Sequence, residues 1–187
     1  MRQIICVLGK TASGKDSITN KLIKEHGFHK LITYCTRPKR KGEKEGITYH
    51  YISDEEFKQK IEDGFFAEWK VYHTKDGDWM YGSSLSDLDN ADDKSVIILT
   101  PDGYRDVINN MEEKPIALYI YANNQTIKER LIKRGDNKEE AERRLLHDNE
   151  DFKGVENMVD RIIYNNSKNN IDDVVNTIIK YVEKRDK

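Results

Sequence analysis

A glycine-rich segment near the start of the chain constrains the fold more than any other feature. Residues 9–15 read Gly-Lys-Thr-Ala-Ser-Gly-Lys, which fits the G-x-x-x-x-G-K pattern of a phosphate-binding loop. The segment follows the continuous apolar run 4–8, which is typical of a strand buried on both faces. After it, Ile18 and Leu22 share one face of a predicted helix, and Gly27 is a candidate cap for its end. This order of strand, loop and helix predicts an anion-binding site in an α/β fold.

Lys15 and Asp16, at the end of the loop, carry opposite charges. Lys15 can reach the β and γ phosphates of a nucleotide whose phosphates the backbone N–H groups of the loop surround. Asp16 stands where this motif normally has the serine or threonine that ligates Mg²⁺, and Ser17 follows it. A carboxylate is a good Mg²⁺ ligand, but a negative charge also stabilises the first turn of a helix, so both interpretations stay open. The alternative for the whole segment is a glycine-rich turn with a solvated lysine.

The rest of the chain alternates predicted strands and helices, as in a parallel α/β sheet with crossover helices. Buried-type strands are predicted at 96–99 and 116–121, and a last strand at 161–164. Shorter strands are predicted at 31–34, 48–52, 65–72 and 79–81, with a turn at 74–78 and a closing segment at 100–103. Helices are predicted after a cap at Ser53, at 125–134, at 138–152 and, behind Asn170, at 171–182.

The composition excludes several functional classes. The 187 residues include 32 lysines and arginines against 34 aspartates and glutamates, whereas proteins that coat DNA or an anionic membrane carry excess positive charge. Two cysteines, Cys6 and Cys35, are too few for a disulfide framework and lack metal-ligand spacing. No apolar run approaches the length of a membrane span. We therefore expect a cytoplasmic protein that binds neither nucleic acid nor a membrane, and a monomer and a homodimer both stay open.

Two clusters of positive charge stand out against this balance. In the loop 36–43, Arg37 and Arg40 can fork onto one phosphate, with Tyr49 and Tyr81 as hydroxyl donors. The second cluster comprises Arg130, Arg134, Arg143 and Arg144. Its helices can close over a nucleotide and bring cations to a transition state. Runs of charged residues are usually solvated. The alternatives are therefore a surface turn for the loop 36–43 and an ordinary charged helical hairpin for the second cluster.

Taken in order, these segments resemble the guanylate kinase family of P-loop nucleoside monophosphate kinases. Residues 36–43 with Gly46, Tyr49 and Tyr51 resemble the family signature T-R-x-x-R-x-G-E-x-x-G-x-x-Y-x-F. Glu68-Trp69 resembles the E-W element of the family, and Tyr81-Gly82-Ser83 resembles its Y-G-S element. Arg134-Gly135 and Arg144-Leu145 resemble its lid, and Asn165 resembles its final strand. The resemblance runs from the phosphate-binding loop nearly to the end of the chain.

The resemblance implies an α/β P-loop fold of three layers, in which a core parallel sheet is flanked by helices within a single domain, 1–187. The core would comprise 1–33, 83–124 and 151–187. A small mixed α/β insertion at about 34–82 would bind the monophosphate, and a helical lid would occupy about 125–150. These parts are expected to move relative to one another around the nucleotides.

The resemblance also implies a reaction, the transfer of the γ-phosphate of ATP to GMP or dGMP with Mg²⁺ as cofactor. The expected ATP contacts are Gly9, Lys10, Thr11, Ala12, Ser13, Gly14, Lys15, Asp16, Ser17 and Arg130, with Asp16 the candidate Mg²⁺ ligand. The expected GMP contacts are Thr33, Arg37, Arg40, Glu43, Tyr49, Glu68, Tyr81 and Thr100. The expected catalytic cations are Lys15, Arg40, Arg134 and Arg144. A carboxylate at Glu68 can accept hydrogen bonds from guanine N1–H and the 2-amino group together, which adenine does not offer.

Three departures from the family pattern keep other functions open. The family motif D-x-D before Q-G is matched here by Ile98-Leu99-Thr100, so Thr100 replaces the carboxylate that contacts the base. Asp16 replaces the hydroxyl residue of the loop, and the segment between Trp69 and Tyr81 is longer than usual. A monophosphate kinase of another base preference is one alternative. A nucleotide-binding module without catalysis is the other, although the retained Lys15 and lid arginines argue against it.

Overall fold

The computed structural model describes residues 4–74, 77–135 and 138–185. Its strands are β1 Ile5–Leu8, β2 His29–Lys30, β3 Tyr34–Cys35, β4 His50–Tyr51, β5 Phe66–Thr74, β6 Gly77–Ser84, β7 Ser95–Ile98, β8 Ile116–Tyr121 and β9 Arg161–Tyr164. Its α-helices are α1 Lys15–His26, α2 Asp54–Glu62, α3 Leu85–Asp89, α4 Pro101–Asn110, α5 Asn124–Arg134, α6 Lys138–Asp151 and α7 Ile171–Arg185. A single 3₁₀ turn, Val155–Asn157, precedes β9 in this part of the chain.

The larger sheet has five parallel strands in the order β2-β7-β1-β8-β9. The central strand β1 pairs on both sides, with Ile5 opposite Val96 of β7 and Ile116 of β8. Its side chains are fully buried on both faces, because alternate residues of a strand point to opposite sides of the sheet. The parallel strands bring their carboxyl ends to one edge, where the loop 9–14 follows β1. The predicted α/β class with a parallel sheet between helices is confirmed.

Two apolar clusters cover the faces of this sheet. On one face, Ile5 and Val7 belong to a cluster with α1 and α7, which includes Leu22 and Ile178. On the other face, Cys6 and Leu8 belong to a cluster that extends to α3, α4 and the segment after α6. Buried apolar side chains contribute roughly 1.5–3 kcal/mol each, so these two layers fix the position of the loop at the end of β1.

A smaller sheet of mixed direction, in the order β4-β3-β6-β5, stands beside the core. Its strand β3 is parallel to β4 and antiparallel to β6, while β5 and β6 form a long antiparallel hairpin. Phe57 of α2 stacks on Phe66 with ring centroids 4.4 Å apart, and Met80 completes this separate apolar cluster. The second sheet therefore has its own small core, and β5 connects it to α4 through the hydrogen bond from Asn110 Nδ2 to the carbonyl of Ala67 at 2.9 Å.

Two local predictions are wrong in position. The predicted strand 31–34 divides between two sheets, because the contact with β7 runs from His29 to the N–H of Leu31, whereas β3 begins at Tyr34. The predicted turn 74–78 is narrower, since β5 continues to Thr74 and β6 starts at Gly77, and residues 75 and 76 lie outside the described residues. The segment 100–103 follows the end of β7, as predicted, and also starts α4, with Thr100 Oγ1 accepting from the N–H of Gly103 at 3.1 Å.

The predicted helix caps at Ser53 and Gly27 are confirmed, because a cap depends on residues that are close together in the chain. Ser53 accepts from the N–H of Glu56 at 3.1 Å and starts α2. Gly27 ends α1 with a φ of 70°. None of the helices in the described residues is long and apolar enough to cross a membrane.

Candidate active site

Two residues of the loop between β1 and α1 have left-handed backbone conformations, which residues other than glycine rarely adopt. Ala12 and Gly14 have positive φ angles of 57° and 97°, and the N–H of Ser13 donates to the carbonyl of Lys10 at 3.1 Å. A Cβ atom at position 14 would collide with the side-chain amide of Asn165, just after β9. Position 14 therefore requires glycine, both for the left-handed conformation and for the close approach of Asn165.

Arg130 of α5 and Asn165 hold this loop through its carbonyl groups. The guanidinium of Arg130 donates to the carbonyls of Ala12 and Ser13, at 3.1 and 3.0 Å, and to that of Asn165 at 3.0 Å. The side-chain amide of Asn165 donates to the carbonyl of Ser13 at 2.8 Å. A cation thus compensates the carbonyl dipoles and fixes the curvature of the loop. In this structure the Arg130 guanidinium contacts the loop itself, so its contact with ATP stays a prediction.

Lys15 and Asp16 begin α1 at the mouth of the loop. The Nζ atom of Lys15 donates across the loop to the carbonyl of Lys10 at 3.3 Å. Burial lowers the pKa of Lys15, while the negative charges of Asp16 and Asp148 act in the opposite direction. Asp16 is exposed in the first helical turn, a position that suits either of its two predicted roles. Within the described residues, no group of three or more His, Cys, Asp or Glu is arranged to hold a metal ion.

The second half of α6 contacts the loop at two positions that the sequence analysis does not single out. The backbone N–H of Thr11 donates to Oδ2 of Asp148 at 2.5 Å. The Nζ atom of Lys10 donates to Oδ1 of Asn149, also at 2.5 Å. These partners lie more than a hundred residues apart in the chain, so no local pattern could have joined them.

A cavity of about 550 Å³ opens between the loop, the second sheet and α6, within the range typical of small-molecule sites. The predicted site residues that line it are Gly9, Thr11, Lys15, Thr33, Tyr49, Glu68, Tyr81, Thr100 and Arg144. The predicted site residues that are not among the described residues lining the cavity are Lys10, Ala12, Ser13, Gly14, Asp16, Ser17, Arg37, Arg40, Glu43, Arg130 and Arg134. Arg134 is nevertheless close enough for its positive charge to lower the pKa of Lys15 further.

Arg37 and Glu43 form a bidentate ion pair beside the cavity. Arg37 is only 4% exposed, and its two terminal nitrogens donate to the two Glu43 oxygens at 2.8 and 2.6 Å. Glu43 also accepts from the hydroxyl of Tyr51 at 2.7 Å and from the backbone N–H of Arg40 at 2.8 Å. Glu43 therefore organises the basic loop and holds Arg37 in one orientation.

This ion pair leads to a prediction about the pH dependence of stability. Hydrogen bonds from Arg37 above all lower the pKa of Glu43 to about 2. Because the folded pKa is depressed, the contribution of Glu43 is complete above its unfolded pKa and is lost as the pH falls towards 2. Between about pH 5 and pH 2, we expect the free energy of unfolding to fall by about 1–2 kcal/mol more in the wild type than in Glu43→Gln.

Urea unfolding at several pH values measures this difference. Glu62→Gln, at an exposed position near the end of α2, is the matched control and is expected to keep the wild-type slope. Parallel pH profiles for the wild type and Glu43→Gln would show that the Arg37 pair does not stabilise the fold.

Tyrosine rings connect the ion pair to the cavity. The Arg37 guanidinium lies 5.1 Å from the ring centroid of Tyr49, and the rings of Tyr49 and Tyr81 are 5.8 Å apart. Burial raises the pKa of both tyrosines, so their hydroxyls remain hydrogen-bond donors for an anion. Arg40 is exposed, with its guanidinium 5.9 Å from the ring of Trp79 on the long hairpin.

Glu68 is a partly buried carboxylate that lines the cavity. Its Oε1 accepts from the hydroxyl of Ser83 at 2.5 Å, and burial raises its pKa while that hydrogen bond lowers it. A Cβ atom at Gly103 would lie 2.9 Å from Oε2 of Glu68 and 3.3 Å from Oγ1 of Thr100, so glycine permits this close approach. Ser83 is a site residue that the sequence analysis names only as part of the Y-G-S element.

Comparison with known proteins identifies the family. The family model described as guanylate kinase matches residues 1–185 of the chain. The chain belongs to the guanylate kinase family. A guanylate kinase from Campylobacter jejuni (strain RM1221) is 32% identical over 157 residues, which cover 80% of this chain and 75% of that protein. A guanylate kinase from Helicobacter pylori (strain ATCC 700392 / 26695) is 30% identical over 182 residues, which cover 95% and 86% of the two chains.

A solved guanylate kinase structure has the same fold. The crystal structure of the enzyme from Anaplasma phagocytophilum superposes with a TM-score of 0.71 at 22% sequence identity, covering 98% of this chain and 86% of that one. The resemblance to the guanylate kinase family in the sequence is therefore confirmed. At this identity the likeness concerns the fold, and the roles of individual residues rest on the contacts described above.

Proposed function

We propose that this protein is a nucleoside monophosphate kinase that transfers the γ-phosphate of ATP to GMP or dGMP, giving ADP and GDP or dGDP. One observation carries the proposal most directly. A single cavity is lined by Lys15 of the phosphate-binding loop, by Tyr49 and Tyr81, and by the partly buried carboxylate of Glu68. A cation for phosphates and a carboxylate that reads a base suit two nucleotides bound in one cavity.

The donor side of the proposed site is the loop at the end of β1. Residues 9–17 would hold the ATP phosphates, because their backbone N–H groups and the start of α1 favour negative charge. Arg130 and Asn165 support this role by holding the loop in shape. Arg134 and Arg144 would add positive charge from the lid, where Arg144 already lines the cavity.

The acceptor side of the proposed site lies on the second sheet. Arg37 and Arg40 would bind the monophosphate with Tyr49 and Tyr81, whose hydroxyls stay protonated at neutral pH. Thr33, Glu68 and Thr100 also line the cavity, where they would contact the base. Glu43 would act through Arg37 by holding its guanidinium.

The reaction needs alignment and charge neutralisation more than proton transfer. The attacking oxygen of a nucleoside monophosphate is already anionic, so no general base is required for in-line attack on the γ-phosphorus. Lys15, Arg40, Arg134 and Arg144 would neutralise the charge that spreads over the transferred group. Closure of 125–150 over the core, together with movement of 34–82, would exclude water that otherwise hydrolyses ATP.

Mg²⁺ fits the donor side of this proposal. Asp16 is the only acid within residues 9–17, it is exposed beside Lys15, and a carboxylate oxygen is a ligand that Mg²⁺ accepts. Asp16 would hold Mg²⁺ here, and the metal would supply positive charge to the phosphates of ATP. Asp16 would then offset the charge of the metal, while Lys15 orients the phosphates.

A coupled assay of ADP release tests the proposed function. The purified protein with ATP and Mg²⁺ is assayed against GMP, dGMP, AMP, CMP, UMP and dTMP. We expect turnover with GMP and dGMP at least about a hundredfold above the other acceptors, because they lack the paired donors that Glu68 requires. Equal activity with another acceptor would move the function to that base, and no turnover with any acceptor would contradict the kinase.

One observation favours a second candidate, a kinase with a different base preference. Thr100 stands where the family pattern has a carboxylate, and one lone pair of its hydroxyl is used by the N–H of Gly103 at the start of α4. Fewer acceptors therefore face the base than in a site with two carboxylates. The same acceptor panel distinguishes this candidate from the first.

A further inference from the structure

The contact between α6 and the phosphate-binding loop uses a group that a nucleotide would need. The N–H of Thr11 donates to Oδ2 of Asp148 at 2.5 Å, and backbone N–H groups of such a loop are the donors that surround phosphates. Asp148 is half-buried and lines the same cavity as Lys15 and Arg144. A carboxylate therefore lies where the loop presents its donors to an anion.

We propose that Asp148 competes with a phosphate of the donor nucleotide for the N–H of Thr11, so that α6 latches the site and must release it before ATP is bound. The proposal rests on the proposed ATP site and not on the identity of the acceptor. Asp148, in the lid segment 125–150, thus sets the affinity of the site for ATP.

The charges around the contact favour an anion there. Lys10 and Lys15 are both close enough to Asp148 for its negative charge to raise their pKa values against the effect of burial. A carboxylate and a phosphate oxygen satisfy the same N–H and the same lysines, but both cannot do so together, because two anions at hydrogen-bond distance from one donor repel each other. Binding one therefore displaces the other.

A second hydrogen bond also connects α6 to the phosphate-binding loop. Lys10 donates to Asn149 at 2.5 Å, so neighbouring residues of α6 each bind one residue of the loop. Arg144 lies one helical turn before Asp148, on the same face of α6. One face of α6 therefore carries both Asp148, which occupies a donor of the loop, and Arg144, which lines the cavity and would neutralise the phosphates.

Binding of ATP with Mg²⁺, measured without any acceptor, tests the latch. Asp148→Asn keeps the size of the side chain but removes its charge, so we expect a Kd about tenfold lower than in the wild type. Stopped-flow measurement with a fluorescent ATP analogue is expected to place the gain in the association rate, since the latch acts before binding. Asn149→Ala, which loosens the latch without changing charge, is expected to change the association rate in the same direction by a smaller factor.

Glu150→Gln is the matched control, because Glu150 is exposed on the same helix and lies outside the cavity wall. It removes the same charge and is expected to leave the Kd within about twofold of wild type. An Asp148→Asn Kd equal to or higher than wild type would overturn the latch, as would an equal gain in Glu150→Gln. Failure of every variant to bind ATP would overturn it as well, whereas tight ATP binding without turnover on any acceptor would contradict only the proposed reaction.

Discussion

Lys15→Ala is expected to lower kcat for phosphoryl transfer by about a thousandfold while the protein remains folded. Lys15 lines the cavity, and its Nζ atom reaches across the loop to the carbonyl of Lys10 at 3.3 Å. Burial lowers its pKa, and nearby phosphates would raise the pKa again. The protonated Lys15 would then lie beside the negative charge that accumulates in the transition state. Loss of Lys15 should therefore affect kcat more than KM for ATP.

Steady-state kinetics and thermal unfolding measure this prediction together. Lys24→Ala, an exposed position on the same helix, is the matched control and is expected to leave kcat unchanged. A loss of less than about tenfold in Lys15→Ala with an unchanged melting temperature would mean that Lys15 does not contact the transferred phosphate. A large loss of melting temperature would assign Lys15 a structural role instead.

The parts of the site that the sequence could predict are those that depend on neighbours in the chain. The loop 9–15 is one, because strand, glycines and helix follow each other directly. Lys15 and Gly14 could be placed in the loop from this order alone, and Ser53 could be placed at the start of α2 from the residue three places later. These features need no knowledge of which distant elements pack together.

The remaining parts depend on pairing between distant segments. The two-residue strand β2 exists only because His29 and Lys30 meet β7, so its own residues carry too little pattern to define it. The contact of Asp148 with Thr11 and the hydrogen bonds of Arg130 with the loop join residues over a hundred positions apart. Arg130 illustrates the consequence, since the sequence predicts a contact with ATP but not the hydrogen bonds that its guanidinium makes to the loop carbonyls.

Glu68→Gln is expected to abolish the preference for guanine. Glu68 lines the cavity, and its Oε1 already accepts from Ser83, so the carboxylate is held in one orientation. Glutamine would present an NH₂ group to the N–H donors of guanine and leave buried donors unpaired. We expect kcat/KM for GMP to fall about a thousandfold, which corresponds to about 4 kcal/mol.

The acceptor panel with the Glu68→Gln variant measures both the loss and its specificity. Because the loss concerns only bases that offer paired donors, kcat/KM for AMP should stay within about threefold of wild type, and the GMP-to-AMP ratio should collapse. Glu62→Gln, exposed on α2, should keep the wild-type ratio. Burial raises the pKa of Glu68 and guanine donors favour its ionised form, so wild-type KM for GMP should also rise as the pH falls, a dependence that Glu68→Gln should lack. An unchanged GMP-to-AMP ratio in Glu68→Gln would assign base selection to other residues and support the kinase of different base preference.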